Sequence, residues 1–212
     1  HEAARAGDIE EIKSLIDIGV SVEHKDAYGR TALHLSVSHS KFEVADFLIS
    51  VGANVNAEDD FGHTPIFPAA YSSHINLLNL LINNGANVNH QDKVGRTPLM
   101  IPRESQIVSV LIENGAEIDA KDITGKTALH ITIVNERDFS LERIKTLLAN
   151  KADINAKDTS GKTPLDYLDW DGPVDMVSAF ELLQQAGAKS GLVLLEQKVD
   201  QLTTATTNPT DE

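Results

Sequence analysis

The sequence contains no cysteine, which removes disulfides, thiol nucleophiles and thiolate metal sites together and fits a reducing compartment. Aromatic residues supply only 5% of a chain that is 41% hydrophobic, so Leu, Ile, Val and Ala must fill its core. No apolar run approaches the roughly 18 residues that a membrane-spanning helix needs, and no signal peptide is visible. Positive charge is short too: 18 Lys and Arg stand against 32 Asp and Glu, a formal charge of −14. That balance argues against a phosphate backbone as ligand, because nucleic-acid affinity rests largely on basic side chains releasing counterions. Acidity keeps an extended surface soluble and favours encounter with a basic partner. The chain opens with His1 rather than Met, which fits an excerpt or a processed product.

What the chain does have is an internal repeat. A Thr-led tetrad occurs five times, as Thr31-Ala-Leu-His34, Thr64-Pro-Ile-Phe67, Thr97-Pro-Leu-Met100, Thr127-Ala-Leu-His130 and Thr163-Pro-Leu-Asp166, at spacings of 33, 33, 30 and 36. Thr is suited to cap a helix by accepting from its free amides, and Pro fits the first helical position. Two residues before each Thr lies a glycine (Gly29, Gly62, Gly95, Gly125, Gly161), in a turn opened by Asp26, Asp59, Asp92, Asp122 or Asp158. Asp and Gly at these places make a tight turn, so a hairpin is expected before each helix pair. A second signature, Gly52-Ala-Asn-Val-Asn56, returns as Gly85-Ala-Asn-Val-Asn89. Length alone would suit one large domain or two small ones, but stacked repeats share one elongated core.

The period, the Asp-x-x-Gly-x-Thr-Pro-Leu-His run and the Gly-Ala-x-Val-Asn run resemble the ankyrin repeat over roughly residues 2 to 189. The resemblance implies an all-α repeat solenoid of helix-turn-helix pairs joined by short β-hairpin loops. It also implies a concave face of hairpin tips and inner helices that binds protein, with His34 and His130 bonding neighbouring backbone. It further implies that Asn56, Asn89 and Asn155 are candidates for hydroxylation in an animal cell. The expected ankyrin domain is 1–189: an opening helix pair over 1–27, then repeats 28–60, 61–93, 94–123, 124–159 and 160–189. In the opening pair Asp8 and Glu11 form a capping box for a helix carrying Ile9, Ile12, Leu15 and Ile16 on one face. After it all, Leu192, Leu195, Val199 and Leu202 predict an amphipathic helix over 190–202, and the polar 203–212 reads as a disordered tail.

The copies differ in an ordered way. From Gly19, Gly52, Gly85, Gly115 and Lys151 to the next Thr the distance is always 12, so the turn segment never changes length. From Thr to the next Gly position it is 21, 21, 18, 24 and 24, so all variation falls in the helix pairs or the turn between them. The third unit lost three residues while keeping Ile107, Val108, Leu111 and Ile112, which places the deficit in its inner helix or the turn after it. Pro68 and Pro102 predict inner helices near 65–72 and 98–105 that start late or are irregular. Drift tolerated by a stack and a notch shaped for a ligand are both open readings. The added residues of the fourth and fifth units are expected to extend the inner-to-outer turn, at Glu136 to Ser140 and Trp170 to Pro173. Lys151 stands where the other copies end a helix with glycine, at a cost of around 1 kcal/mol.

Nothing in the sequence assembles a catalytic or metal site. Eight histidines include no His-x-x-x-His pair, and neither a Gly-x-Ser-x-Gly elbow nor a phosphate-binding glycine loop occurs. Candidate partner contacts lie on the turn tips instead. Three residues before each Thr come Tyr28, Phe61, Val94, Thr124 and Ser160, an apolar stripe that turns polar over the last two tips. Immediately before each Thr come Arg30, His63, Arg96, Lys126 and Lys162, a basic row. His39 and Tyr71, near the ends of inner helices, are expected to face the same groove. Trp170, the single tryptophan, is either an anchor for a partner or packed beneath its own loop. The reading is a non-catalytic interaction scaffold, monomeric and without cofactor or metal, holding another protein of basic or mixed surface and no nucleic acid or membrane. Its place is the cytoplasm or nucleus, with a secreted effector acting inside a host cell kept open. The rival reading is a targeting or substrate-recruiting domain of a larger enzyme.

Overall fold

A computed structural model describes residues 1–135, 139–168 and 174–188. The helix expected over 190–202, the tail expected over 203–212, Trp170 and most of the two expected turn extensions lie outside the described residues. Those described form ten α-helices and two 3-10 turns, with no strand among them. An opening pair, α1 (Glu2–Ala6) and α2 (Ile9–Asp17), is followed by α3 (Ala32–Ser38) with α4 (Phe42–Ser50) and α5 (Ile66–Tyr71) with α6 (Ile75–Asn83). The turn Pro98–Met100 then leads to α7 (Ser105–Glu113), α8 (Ala128–Val134) to α9 (Leu141–Ala149), and the turn Pro164–Tyr167 to α10 (Val174–Gln185). Asp8 caps α2 by accepting from the Glu11 amide at 3.0 Å.

The pairs pack as one stack because each exposes an apolar side that only its neighbour covers. Leu48, Leu81, Leu111, Leu147 and Leu183 occupy one register on successive outer helices, and each is at most 1% exposed. They hold that register through every change of repeat length. The outer helices α4, α6, α7 and α9 all have nine residues. The inner elements instead have seven, six, three, seven and four.

The two prolines act differently. Pro68 sits in the first turn of α5, where its missing N–H has no partner to lose, and the helix starts one residue later than α3 or α8 relative to its Thr. Pro102, together with the three-residue deficit, leaves only the 3-10 turn Pro98–Met100 in place of an inner helix. The fifth unit shortens likewise, to Pro164–Tyr167, which proline positions alone did not foretell.

The connecting loops are tight turns rather than strand-forming hairpins. Each closes on itself, as when the Asp26 amide donates to the Arg30 carbonyl at 2.9 Å. Each joins the next tip by a backbone bond: Asp60 to Tyr28 (3.0 Å), Lys93 to Phe61 (3.0 Å), Ile123 to Val94 (3.1 Å) and Thr159 to Thr124 (2.9 Å). Arms this short close a turn without propagating a ladder. Away from the tips, Asn56 and Asn89 staple neighbouring loops. Asn56 donates to the Gly85 carbonyl at 2.9 Å and accepts from the Asn87 amide at 2.8 Å, and Asn89 repeats this with Gly115 and Glu117. Lys151 does adopt the left-handed conformation of the glycines it replaces, at φ +68°.

The Thr-led tetrad caps its helix as expected at Thr31, Thr127 and Thr163, and does so reciprocally. His34 Nε2 lies 3.0 Å from the His63 carbonyl, which can only accept, so the imidazole proton is on Nε2. The bare Nδ1 then accepts from both the Thr31 amide (3.2 Å) and the Thr31 hydroxyl (2.9 Å), while the Thr31 side chain in turn receives the His34 backbone amide, the two halves of a capping box. His130 repeats the arrangement with Thr127 and the Lys162 carbonyl. Asp166 does so for Thr163 with a carboxylate oxygen. Phe67 and Met100 have no acceptor to offer in this slot, and the buried hydroxyls of Thr64 and Thr97 make no hydrogen bond.

Candidate interaction surface

The tip geometry follows from one carboxylate per turn. Asp26 Oδ1 accepts from the amides of Tyr28 and Arg30, both at 2.9 Å, and Oδ2 takes the Arg30 guanidinium at 2.7 and 2.9 Å. Burial pushes this carboxyl upward, but the Arg30 side chain and the two amides outweigh it and hold the pKa at about 2. Asp59 and Asp92 anchor their turns through the same amide pairs. With the turns fixed, Tyr28, Phe61 and Val94 stand out at 57, 59 and 42% exposure. Ile123, at 68%, continues the apolar edge to the fourth tip, where the spacing rule marked only polar Thr124. Its signal was a large aliphatic one residue off the expected position.

The basic row divides. Arg30 lies over the Tyr28 ring at 4.8 Å. His63 stacks between Phe61 (5.9 Å between centroids) and Phe67 (4.9 Å), linking an exposed tip to the interior. Arg96 donates to Asp92 at 2.8 Å. Lys126 turns into the stack, with Asp158 Oδ2 at 3.9 Å and the Tyr167 ring at 5.3 Å, away from the cavity that Arg30, His63 and Arg96 line together. Tyr167 donates its hydroxyl to Asp158, a bond that lowers the Asp158 carboxyl and pushes the tyrosine up to about 12.

The shortened third repeat opens a cavity of about 500 Å³ between tips and inner elements. Arg30, His63 and Arg96 come to it from three successive turns, Tyr71 and Phe67 from α5, Met100 and Ile101 from the truncated segment, and Ile131 from α8. Tyr71 is 48% exposed, and the Arg103 guanidinium packs over its ring at 4.4 Å. His39 is exposed at the end of α3, its Nδ1 held near the Leu35 carbonyl at 3.0 Å; His34 and Ser38, not His39, reach the cavity from that helix.

Arg143 escaped the sequence reading. It occupies on α9 the register that Val44, Leu77 and Ile107 hold on α4, α6 and α7, yet is only 4% exposed. Its guanidinium bonds the Pro102 carbonyl and forms part of the cavity wall. A basic residue in a core register was the available signal. Where the third inner helix is missing, a long side chain from the fourth repeat reaches into the space.

The family model described as ankyrin repeats (3 copies) matches residues 1–59, 51–122 and 103–189. The chain belongs to the ankyrin-repeat family. Ankyrin repeats are generally protein–protein interaction modules and typically non-catalytic. A search of curated proteins finds no match. Among the described residues, no group of three or more His, Cys, Asp or Glu is placed to hold a metal ion, and no helix is long and apolar enough to cross a membrane.

Proposed function

We propose that this ankyrin-repeat chain is a non-catalytic scaffold, acting as a monomer inside a cell, that holds a protein partner along its turn tips and inner helices. The observation that carries the reading is the row Tyr28, Phe61, Val94 and Ile123. Its side chains are 42 to 68% exposed although apolar, and the four tips are tied edge to edge by backbone hydrogen bonds. Isolated exposed apolar residues need no explanation, but a contiguous row on loops held by a rigid stack is the arrangement expected of a contact surface. The cysteine-free sequence is in keeping with a reducing compartment.

The test is affinity purification of the intact protein, cross-linking of the captured partner, and measurement of its Kd. Tyr28→Ala with Phe61→Ala weakens binding by more than about 1 kcal/mol, roughly fivefold, while thermal unfolding stays nearly unchanged. Unaltered affinity, or cross-links confined to the outer helices α4, α6, α7 and α9, refutes the reading.

A further inference from the structure

The chain is strongly acidic overall, yet the cavity at the third repeat turns the opposite sign of charge toward solvent. The inner elements α3, α5, Pro98–Met100 and α8 read ALHLSVS, IFPAAY, PLM and ALHITIV, without one carboxylate among 32 in the chain. Apart from Arg143 on α9, the charges that reach the cavity come from the turns, where the two signs are not equally exposed. The Asp26, Asp59 and Asp92 side chains are 12, 7 and 1% exposed, whereas their companions Arg30, His63 and Arg96 are 30, 28 and 39% exposed. Asp26 and Asp92 stay off the cavity lining and Asp59 reaches it, all three occupied with turn amides and less exposed than the basic side chains beside them.

Neither arginine is used up by its aspartate. Arg30 engages Asp26 through Nε and Nη2, leaving Nη1; Arg96 engages Asp92 through Nε, and its Nη2 has only a long contact of 3.4 Å to His63 Nε2. Below this rim the walls are apolar. Phe67 and Met100 are each 3% exposed, and Ile101 and Ile131 are half-buried. At about 500 Å³ the space would hold roughly 17 waters at ~30 Å³ each, and it falls in the range of ligand pockets of about 300–1,000 Å³. Guanidinium groups favour carboxylates because their parallel N–H donors match the two oxygens.

We propose that this cavity, formed by the three-residue deficit of the third repeat, receives a linear peptide segment whose large apolar or aromatic side chain enters between Phe67, Met100 and Ile101 while an adjacent carboxylate meets Arg30 and Arg96. This rests on the proposed role in protein binding and names the chemistry of the partner segment: locally acidic, against the basic partner that the net charge favours. The third repeat then supplies the specificity, and the tip row the remaining contact area.

The experiment selects a display library of random linear peptides against the intact chain. The expected result is enrichment of peptides that place Asp or Glu within two positions of Phe, Tyr, Trp, Leu or Met. Replacing that acid by its amide in a synthetic peptide weakens binding about tenfold or more in low salt, and the difference shrinks as salt is raised. Ile101→Trp, which fills the cavity without altering its charges, abolishes binding of the selected peptides while circular dichroism shows a folded protein. Should Ile101→Trp fail to fold, the acid-to-amide exchange decides alone, since it leaves the protein untouched. No enrichment, enriched peptides without acids, or acid and amide forms within about twofold of each other overturn the proposal. Selected peptides that lose binding to the Tyr28→Ala, Phe61→Ala variant but keep it with Ile101→Trp overturn it while leaving the proposed scaffold role standing.

Discussion

Replacing Gly125 and Gly161 by alanine, one at a time, separates two reasons for a glycine at the turn tip. Both residues have φ +78°, so both variants carry the same penalty for an L side chain in left-handed backbone, about 1–2 kcal/mol. They differ in what lies across the tip. A Cβ on Gly125 would stand 2.7 Å from the Thr159 amide nitrogen and 3.0 Å from two backbone atoms of Asp158; one on Gly161 meets nothing within 4 Å among the described residues. To bring 2.7 Å out to an ordinary 3.4 Å the fifth tip must retreat about 0.7 Å, and what must move is backbone. That displacement stretches two bonds to the Thr124 carbonyl, from the Thr159 amide and the Thr159 hydroxyl, each 2.9 Å. Overpacking of this kind typically costs about 1–3 kcal/mol. Gly125→Ala is therefore destabilised by about 2–5 kcal/mol and Gly161→Ala by about 1–2. Urea denaturation of the intact chain measures the totals, and hydrogen exchange at the Thr159 amide locates the difference, with protection lost only in Gly125→Ala. Equal destabilisation of the two variants, with Thr159 equally protected, would refute the idea that close approach of the next repeat demands the glycine.

Two further outcomes follow from the buried polar groups. Thr97→Val removes a buried hydroxyl that makes no hydrogen bond and is neutral or stabilising by up to about 1 kcal/mol, whereas Thr31→Val removes a donor to His34 and costs about 1 kcal/mol; matched urea melts report the contrast. On acidification stability falls in two windows. Burial lowers the pKa of His34 and His130 below 6.5, so beneath that pH the unfolded chain takes up protons that the folded chain refuses, and stability drops. Asp26, held at about 2 against an ordinary 3.8, contributes stability that is complete above 3.8 and lost between 3.8 and about 2. A thermal-melt series against pH shows both windows, and His34→Gln with His130→Gln removes the first.

Much of this architecture is legible in one dimension because repetition converts spacing into geometry. The interval of 12 residues between helix end and next Thr specifies a turn of constant length, and the tips accordingly sit in register. The outer helices announce themselves through an apolar period that survives every insertion and deletion, as Leu48, Leu81, Leu111 and Leu147 attest. Tyr28, Phe61 and Val94 were recognisable as exposed because a turn tip offers no core in which to hide them.

What only the folded stack decides is how neighbouring repeats respond to one another's irregularities. A three-residue deficit is visible as arithmetic, but whether it closes up or leaves a cavity depends on what the adjoining repeats put there. Here that is Phe67 on one side and, on the other, Arg143 reaching across to the Pro102 carbonyl. The same holds for charge. Composition alone describes an acidic protein, while the deeper burial of Asp26, Asp59 and Asp92 than of Arg30, His63 and Arg96 makes one rim basic. Local sequence determines turns and helix faces because those depend on residues a few positions apart; the depth and sign of the cavity arise between residues dozens of positions apart, brought together only by stacking.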